Sequence, residues 1–273
     1  MEKETKDMRS ERPCDKLPIV DVFTSIQGEG IYIGEPSVFV RVSGCNLRCC
    51  FKNTICDTAY SSFKPEKGHF KPEDILKELT DNPNVRSIVI TGGEPMLYAN
   101  MVEDLIEFIE SVMDMDYHVT VETNGTRPPC NDTLVDLYSI SPKLSTSVPE
   151  PEPRVYMDQA TGDTYTFTKE ECERLNIERY NPKAIAAMID QADFQLKFVY
   201  SGPESVTSIM ELLKDLYNLH ATVLPEDVLL MPEGVTNELI TENAQEAARI
   251  CIDHGWRLSD RLHIRVWGDK RGK

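Results

Sequence analysis

The chain has 273 residues, of which 46 are Asp or Glu and 29 are Lys or Arg, so its formal net charge is −17. The length and a hydrophobic fraction of 40% suit one large α/β domain with a buried core. A field this negative repels nucleic acids, and no apolar run is long enough to span a membrane, which favours a free small molecule as the substrate.

The N-terminal residues 1–17 are rich in charge and contain no apolar stretch of the kind found in signal peptides. We therefore expect a flexible leader, followed by a single domain over residues 18–273. Without a secretion signal, the eight cysteines favour metal or cluster binding in a cytoplasmic protein over a disulfide framework.

Short runs rich in Val, Ile and Phe predict strands, and longer stretches with apolar residues three or four positions apart predict helices. The predicted strands are 19–24, 37–42, 87–91, 118–122, 137–141, 194–200, 228–231 and 262–266. The predicted helices are 72–80, 99–113, 184–191, 204–217 and 238–254. This alternation predicts a parallel sheet with helices packed outside it.

Polar motifs end or follow several of the predicted strands. They are Gly92-Gly93-Glu94-Pro95, Glu122-Thr123-Asn124-Gly125, Ser141-Pro142-Lys143 and Met231-Pro232-Glu233-Gly234. In parallel α/β folds the reactive groups gather at the carboxyl ends of the strands. The shared position of these motifs therefore predicts a functional site at one edge of the sheet.

Three cysteines, Cys45, Cys49 and Cys56, lie in a short segment after the second predicted strand, and residues 44–58 are called the cysteine segment. Three thiolates this close can hold three irons of a [4Fe–4S] cluster and leave the fourth iron open for a small molecule. A structural zinc site is the alternative for such a set. Cys50 competes with Cys56 for the third position, although the adjacent thiols of Cys49 and Cys50 would share one small cluster awkwardly.

Residues 144–182 interrupt the alternation of strands and helices. The stretch 148–153 has proline at every second position and neither a helical nor a strand period, and 158–168 is polar and typical of turns. We interpret 144–182 as an inserted loop or lid. Deletion of 149–163 is accordingly expected to spare a cluster held by the cysteine segment.

With these pieces placed, the chain resembles the radical S-adenosylmethionine (SAM) superfamily and, within it, the 7-carboxy-7-deazaguanine synthase family. The motifs that carry the resemblance are Gln27-Gly28-Glu29-Gly30, Phe39-Val40-Arg41, Gly44-Cys45-Asn46-Leu47-Arg48-Cys49, Cys56-Asp57-Thr58, Thr91-Gly92-Gly93-Glu94-Pro95, Val121-Glu122-Thr123-Asn124-Gly125-Thr126, Ser141-Pro142-Lys143, Leu196-Lys197-Phe198-Val199, Arg261-Leu262-His263 and Trp267-Gly268. The chain departs from the superfamily in the longer spacing between Cys49 and Cys56.

The resemblance implies a partial (β/α) barrel and a carbon–nitrogen lyase. The family rearranges 6-carboxy-5,6,7,8-tetrahydropterin to 7-carboxy-7-deazaguanine with release of ammonia, on the route to queuosine and other 7-deazapurines. In this chemistry one electron from a [4Fe–4S] cluster cleaves SAM to methionine and a 5′-deoxyadenosyl radical. The resemblance further implies Mg²⁺, an external electron donor such as flavodoxin, and a homodimer.

The resemblance also assigns ligand contacts, with Cys45, Cys49 and Cys56 holding the cluster. The residues implied for SAM binding are Gly92, Gly93, Glu94, Glu122, Asn124, Ser141 and Lys143. Glycines permit a close approach of the backbone to a ligand, although a plain strand-to-loop turn explains a Gly-Gly pair better on its own. Asn-Gly is likewise a common turn pair.

The residues implied for substrate binding are Gln27, Gly28, Glu29, Gly30, Arg41 and Thr91. Gln offers a donor and an acceptor to a pterin edge, Glu accepts from amine groups, and Arg41 can pair with the substrate carboxylate. Strand alternation puts Arg41 on the face opposite to Val40 and Val42, and a salt-bridged arginine is the alternative. Thr58 is implied as a Mg²⁺ ligand, with a loop or helix-capping threonine as the alternative.

Two further residues have open roles. Lys197 could face the substrate from its strand, although strand lysines usually face solvent. His263 and the tail through Trp267 are candidates to close the site. Two other functions also stay open, namely a radical SAM activase that acts on a protein partner and a non-catalytic zinc-binding protein.

Overall fold

An eight-stranded sheet is the frame of the computed structural model, which describes residues 12–273. The strands are β1 (Ile19–Ile26), β2 (Pro36–Val42), β3 (Cys50–Phe51), β4 (Thr54–Ile55), β5 (Ser87–Gly92), β6 (His118–Thr123), β7 (Leu137–Ile140), β8 (Tyr156–Met157), β9 (Thr164–Tyr165), β10 (Asp193–Tyr200), β11 (Val228–Pro232) and β12 (Arg257–Leu258). The helices are α1 (Ala59–Ser62), α2 (Pro72–Asp81), α3 (Ala99–Met113), α4 (Lys169–Glu178), α5 (Pro182–Gln191), α6 (Glu204–Asn218), α7 (Asn237–His254) and α8 (Leu262–Trp267). The main sheet has the order β1-β2-β5-β6-β7-β10-β11-β12.

Neighbouring strands of the main sheet are parallel, except for the antiparallel pair β1 and β2. Side chains alternate between its two faces. One face sends apolar residues into the core, as Val40 on β2 and Ile90 on β5 do, and helices such as α3 cover it with Leu105 and Ile109. The other face, called the inner face, carries many polar side chains.

Contacts across the inner face show that the sheet is curved. Gln27, which follows β1, reaches Glu122 on β6, and Glu29 reaches Lys197 on β10. Strands that are several positions apart in the sheet order therefore come together inside it, while β1 and β12 form its two edges. The predicted α/β partial barrel is confirmed by this arrangement.

The C-terminal segment 262–266 was predicted as a strand, and this prediction was wrong, because the segment is part of helix α8. Apolar and polar residues alternate from Leu262 to Val266, which is the pattern of a half-buried strand. In the structure only Ile264 of this helix is buried, Val266 is 53% exposed, and β12 already pairs with β11 at that edge.

The inserted stretch 144–182 contains regular structure that the loop prediction missed. Strands β8 and β9 pair with each other, and β8 also pairs with β4 beside the cysteine segment. Tyr156 and Phe167 from the insertion pack with Cys49 and Cys50 in a small hydrophobic cluster, to which α4 also contributes. This packing argues against the expectation that deletion of 149–163 spares a cluster, and the iron content of the deletion variant tests it. Two-residue strands are too short to produce a periodic pattern.

The predicted flexible leader lies mostly outside the described residues, which begin at residue 12. Its last part is packed rather than loose, since Cys14 is fully buried and Leu17 belongs to the main core. The boundary at residue 17 was therefore placed too late. Within residues 12–273, none of the helices combines the length and apolarity that crossing a membrane requires.

Candidate active site

A row of polar side chains lines the inner face of the sheet. Arg41 on β2 is in register with Thr91 on β5, whose hydroxyl donates a 2.7 Å hydrogen bond to Glu122 on β6. Lys197 on β10 continues the row, with its ammonium nitrogen 4.0 Å from the Glu122 carboxylate. The row thus brings predicted substrate residues beside Glu122, which was predicted to bind SAM.

The loop after β1 adds Gln27 and Glu29 to this row. The Gln27 amide nitrogen donates to Glu122 over 3.2 Å, and the Gln27 carbonyl oxygen accepts from the Glu29 backbone N–H over 3.2 Å. Gln27 is buried, with 6% of its surface exposed. Gln27 therefore connects the predicted substrate motif Gln27-Gly28-Glu29-Gly30 to Glu122, which was predicted to bind SAM.

The C-terminal segment closes this loop from the other side. The Gly28 carbonyl accepts a 2.8 Å hydrogen bond from the Leu262 N–H, and the Gly30 N–H donates to Ser259 Oγ at 2.9 Å. The imidazole of His263 occupies the space that a side chain at Gly28 would need. Burial lowers the pKa of His263, which favours its neutral form. His263 therefore lies against the substrate motif, as its candidate role requires.

Glu29 is the centre of a buried group of charges. Its carboxylate accepts hydrogen bonds from Lys197 Nζ at 2.5 Å and Arg261 Nε at 2.9 Å, and no side chain of the three is more than 14% exposed. Burial alone would raise the pKa of Glu29, but the two cations hold it well below its usual range. Glu29 is therefore ionised and offers only acceptor atoms to a ligand.

Arg261 connects this group to the cysteine segment. Besides Glu29, its guanidinium donates to the Asp57 carboxylate at 2.7 Å and to the Gly234 carbonyl at 2.7 Å. Burial opposes its charge, but Asp57 and Glu29 raise the pKa of Arg261 above its already high ordinary value. Since Asp57 directly follows Cys56, one side chain holds both the substrate motif and the predicted third cluster ligand.

Arg41 has a distant ionic partner. Its Nε lies 3.6 Å from the Asp21 carboxylate, is buried, and forms no hydrogen bond within residues 12–273. Its guanidinium lies 5.9 Å from the centre of the Tyr60 ring. The neighbouring Val40 and Val42 are in the core, which confirms the predicted facing of Arg41. A contact this long leaves the guanidinium donors available to another carboxylate.

The three predicted cluster cysteines are free thiols that follow β2. The Cys56 N–H donates to the Cys49 carbonyl at 3.0 Å, which holds the second and third of these cysteines side by side. Burial raises the pKa of all three thiols, to about 12 for Cys49. Metal must therefore displace protons when it binds, and free clustered thiols are the donor set that an iron–sulfur cluster needs.

The thiols do not form a preassembled site for a single ion. Within residues 12–273, no three His, Cys, Asp or Glu side chains are grouped so that they could hold a metal ion. A tetrahedral zinc site draws its sulfurs to within about 4 Å of each other, whereas thiolates on separate irons stand farther apart. Cys50 is buried in the small hydrophobic cluster, and Cys56 is partly exposed. The choice of Cys56 over Cys50 stays a prediction.

Gly92 and Gly93 bring the end of β5 against the cysteine segment. The Gly93 N–H donates to the Val42 carbonyl at 3.0 Å, and the Glu94 N–H donates to the Gly44 carbonyl at 2.8 Å. A side chain at Gly92 would collide with Val42 backbone, and one at Gly93 with Gly44 backbone. This approach of two backbones already requires both glycines, so their contact with SAM stays a prediction.

Glu94 and Asn124, which were predicted to contact SAM, are engaged in hydrogen bonds within the protein. The buried Glu94 carboxylate accepts from the Thr123 hydroxyl and the Asn124 N–H, both at 2.6 Å, and from the Met96 N–H at 3.0 Å. The Asn124 amide donates to Asn46 Oδ1 in the cysteine segment at 3.1 Å. These contacts support a positioning role that joins strand ends to the cysteine segment.

Thr58 lies beside a predicted cluster thiol, and Ser141 and Lys143 are paired with each other at the end of β7. The Lys143 ammonium donates to Ser141 Oγ at 2.8 Å. Its positive charge lowers the pKa of Cys49, whereas burial raises it. Thr58 Oγ1 lies 3.3 Å from Cys56 Sγ. The residues predicted for SAM and for Mg²⁺ are thus grouped at the same edge of the sheet as the cysteines.

Sequence reasoning undervalued the charged members of the site. Lys197 is 4% exposed, so the usual expectation of a solvent-facing strand lysine does not apply here. Asp21, Asp57 and Arg261 received no role, because their partners are distant in the chain. A useful signal was available in Leu196-Lys197-Phe198, since the apolar neighbours of Lys197 direct its side chain to the inner face.

Known proteins resemble this chain over most of its length. The sequence model of the Radical SAM superfamily matches residues 39–175. A 7-carboxy-7-deazaguanine synthase from Halobacterium salinarum is 36% identical over 269 residues, which cover 97% of each chain. A protein of the same name from Rhodopirellula baltica is 34% identical over 257 residues, covering 94% of this chain and 88% of the relative.

A solved structure agrees in fold. The crystal structure of QueE from Escherichia coli superimposes with a TM-score of 0.56 and covers 90% of this chain and 94% of that one. At 23% identity this likeness supports the architecture alone. The family resemblance drawn from the motifs is confirmed by the sequence comparisons. The chain belongs to the radical SAM superfamily and, within it, to the 7-carboxy-7-deazaguanine synthase family.

Proposed function

We propose that this chain converts 6-carboxy-5,6,7,8-tetrahydropterin to 7-carboxy-7-deazaguanine with release of ammonia. The observation that carries the proposal is the polar row inside the barrel, next to a segment with three free thiols. The row consists of Gln27, Glu29, Arg41, Thr91, Glu122 and Lys197. Its acceptors, donors and charges match the edge and the carboxylate of a reduced pterin.

The ring edge and the carboxylate of a carboxylated pterin require different partners. Its ring edge presents amine and amide N–H groups, which suit the ionised Glu29 carboxylate and the oxygen of Gln27. We also assign Glu122 to this edge and not to SAM as first predicted, because its carboxylate is bonded to Gln27 and Thr91 of the row. Its carboxylate suits Arg41, whose Nε is buried without a hydrogen-bond partner in the described chain. The proposed pose therefore runs from Glu29 to Arg41 across the inner face.

The charge group around Glu29 gives this pose its preorganisation. Lys197 and Arg261 keep Glu29 ionised and fix both of its oxygens, so the acceptor does not have to reorganise when a ligand binds. Their burial also keeps bulk water away from the site, which strengthens every electrostatic contact made inside it. Loss of either cation should weaken substrate binding.

The cofactors are assigned to residues at the carboxyl edge of the sheet. Cys45, Cys49 and Cys56 would hold a [4Fe–4S] cluster, and Ser141 and Lys143 would contact SAM beside it. When bound, the cluster supplies the electron that cleaves SAM to methionine and a 5′-deoxyadenosyl radical. The cluster and SAM would then lie next to the polar row, because Arg261 joins Glu29 to Asp57 in the segment that carries the cysteines.

Three finer features extend the proposal. Mg²⁺ is assigned to Thr58, whose hydroxyl lies at the cysteine edge, where substrate oxygens can complete a hard-cation site. An external one-electron donor such as flavodoxin must reduce the cluster, since no side chain of the polar row supplies an electron. Reduced iron–sulfur chemistry together with free thiols suits a cytoplasmic location.

A homodimer is part of the proposal as well. Ile31, Tyr32 and Ile33 are consecutive apolar residues whose side chains are exposed. These three side chains, 37–40% exposed, form a small apolar surface on which a second copy of this chain would pack. Sedimentation at increasing protein concentration tests the dimer, and Ile31→Asp should shift the equilibrium toward the monomer.

Anaerobic turnover tests the function. Reconstituted protein is given SAM, a reductant, Mg²⁺ and the carboxylated tetrahydropterin without any protein partner, and the products are read by mass spectrometry. Formation of 7-carboxy-7-deazaguanine supports the proposal. Pterin-independent SAM cleavage alone favours the activase alternative, and a colourless protein loaded with zinc favours the non-catalytic one.

A further inference from the structure

Arg271, the third residue from the C-terminus, pairs with two carboxylates at once, and this double pairing is called the clasp. Its guanidinium donates to both oxygens of Asp21, with Nε at 3.1 and 3.2 Å, and Nη2 lies 3.0 Å from one of them. It also makes a bidentate pair with Glu66, with both contacts at 2.9 Å. The tail is therefore fixed to β1 and to the segment before α2.

Aromatic packing holds the same guanidinium. Arg271 lies 3.8 Å from the centre of the Tyr60 ring, within the range of a cation–π contact. Arg41 lies against the same ring at 5.9 Å. Burial raises the pKa of Tyr60 to about 12, so the ring stays neutral. Two arginines, one tyrosine and one aspartate thus form a single group at the end of the polar row.

Asp21 is shared unequally between the two arginines. It accepts three contacts of 3.0 to 3.2 Å from Arg271, whereas Arg41 Nε is 3.6 Å away and forms no hydrogen bond in the described chain. A carboxylate that is only 17% exposed needs a cation close by. If Arg271 were absent, Arg41 would be the nearest remaining cation among residues 12–273 and would take over this pairing.

We propose that Arg271 is a positioning residue that holds Asp21 and so leaves Arg41 available for the carboxylate of the substrate. The inference rests on the proposed function, because it concerns the proposed carboxylate contact of Arg41. Arg271 does not touch the substrate. It acts by occupying the carboxylate that otherwise competes for Arg41, and the charge balance between Arg41 and Asp21 sets the affinity for a carboxylated ligand.

The test compares binding of two pterins. Affinities are measured anaerobically for the carboxylated tetrahydropterin and for 5,6,7,8-tetrahydropterin, which lacks the carboxylate, and KM and kcat are measured for the former. In Arg271→Ala the Kd and KM of the carboxylated ligand should rise about tenfold, the loss expected for one charge-assisted hydrogen bond. The Kd of the uncarboxylated ligand, the Kd of SAM and kcat should stay near wild-type values.

Four variants separate positioning from simple loss of stability. Adding Asp21→Asn to Arg271→Ala should restore the affinity, because the competing charge is gone. Glu66→Gln weakens the clasp without releasing Asp21, and Lys273→Ala removes a charge from the same tail, so both should bind like wild type. Arg271→Lys should fall between, since an ammonium cannot pair with two carboxylates in the same forked geometry.

The possible failures are distinguishable. If wild type binds and converts the carboxylated pterin and Arg271→Ala does the same equally well, the inference is overturned and the proposed function stands. The inference is also overturned if Arg271→Ala weakens both pterins alike, or if Asp21→Asn gives no rescue. If wild type neither binds nor converts the carboxylated pterin, the proposed function fails, and the inference fails with it.

Discussion

Replacement of Lys197 by Met should destabilise the protein strongly, because it leaves Glu29 with one cation in place of two. The Lys197 side chain is 5% exposed, and its nitrogen lies 2.5 Å from Glu29. Breaking a buried ion pair by removing one partner typically costs about 3–5 kcal/mol. Arg261 remains 2.9 Å from the same carboxylate, so we expect the lower end of that range. Methionine fills a similar volume, which keeps the cavity cost small.

The assay is anaerobic urea unfolding of the cluster-free protein, followed by circular dichroism. Lys77→Met is the matched control, because Lys77 pairs with Asp81 on the exposed side of α2 and its loss should leave the midpoint unchanged. The double variant Glu29→Gln, Lys197→Met should lose less than the sum of the single variants. Equal midpoints for Lys197→Met and Lys77→Met would refute the account of the charge group.

The dependence of stability on acid pH is a second test of the buried charges around Glu29. The folded-state pKa of Glu29 lies below its ordinary value of 4.5, so its contribution to stability is present above pH 4.5 and is lost as pH falls through the folded-state pKa. In Glu29→Gln that part of the acid dependence should be missing. Parallel stability curves for wild type and Glu29→Gln below pH 4.5 would contradict the depressed pKa.

Three further predictions concern the cofactor edge. Cys56→Ala should lose its iron after anaerobic reconstitution and Cys50→Ala should keep it, as iron analysis and absorption spectra can check; the reverse result would exchange their roles. Deletion of 149–163 should lower the iron content, because Tyr156 packs against the cysteine segment; full iron content would show that this packing is dispensable. Thr58→Val should reduce the Mg²⁺ stimulation of turnover, and an unchanged Mg²⁺ response would remove Thr58 from the metal site.

Much of the barrel was predictable because its strands obey simple alternation. Val40 and Val42 face the core and Arg41 faces inward, as the pattern on β2 required. The carboxyl-edge motifs also came together, since parallel strands end at one edge. Segment 262–266 was wrongly predicted as a strand, because the same alternation occurs in a short helix with one buried residue, Ile264.

The site was less predictable where its contacts join distant parts of the chain. Glu29 and Lys197 are 168 residues apart, and Arg261 and Asp57 are 204 apart, so no local pattern links them. Gly92 and Gly93, at the end of β5, show that a local pattern can also suggest more than the structure requires. Their local sequence indicated a ligand contact or a turn, and the structure shows that packing against the cysteine segment already explains them.

The most direct test of the account is the product balance of a single anaerobic reaction. Reconstituted protein, SAM, reductant, Mg²⁺ and 6-carboxy-5,6,7,8-tetrahydropterin are combined, and 7-carboxy-7-deazaguanine and ammonia are quantified together. The proposed function predicts the two products in equal amounts in wild type and neither in Cys49→Ala. If 5′-deoxyadenosine forms without 7-carboxy-7-deazaguanine, the radical chemistry stands, but the proposed substrate is contradicted.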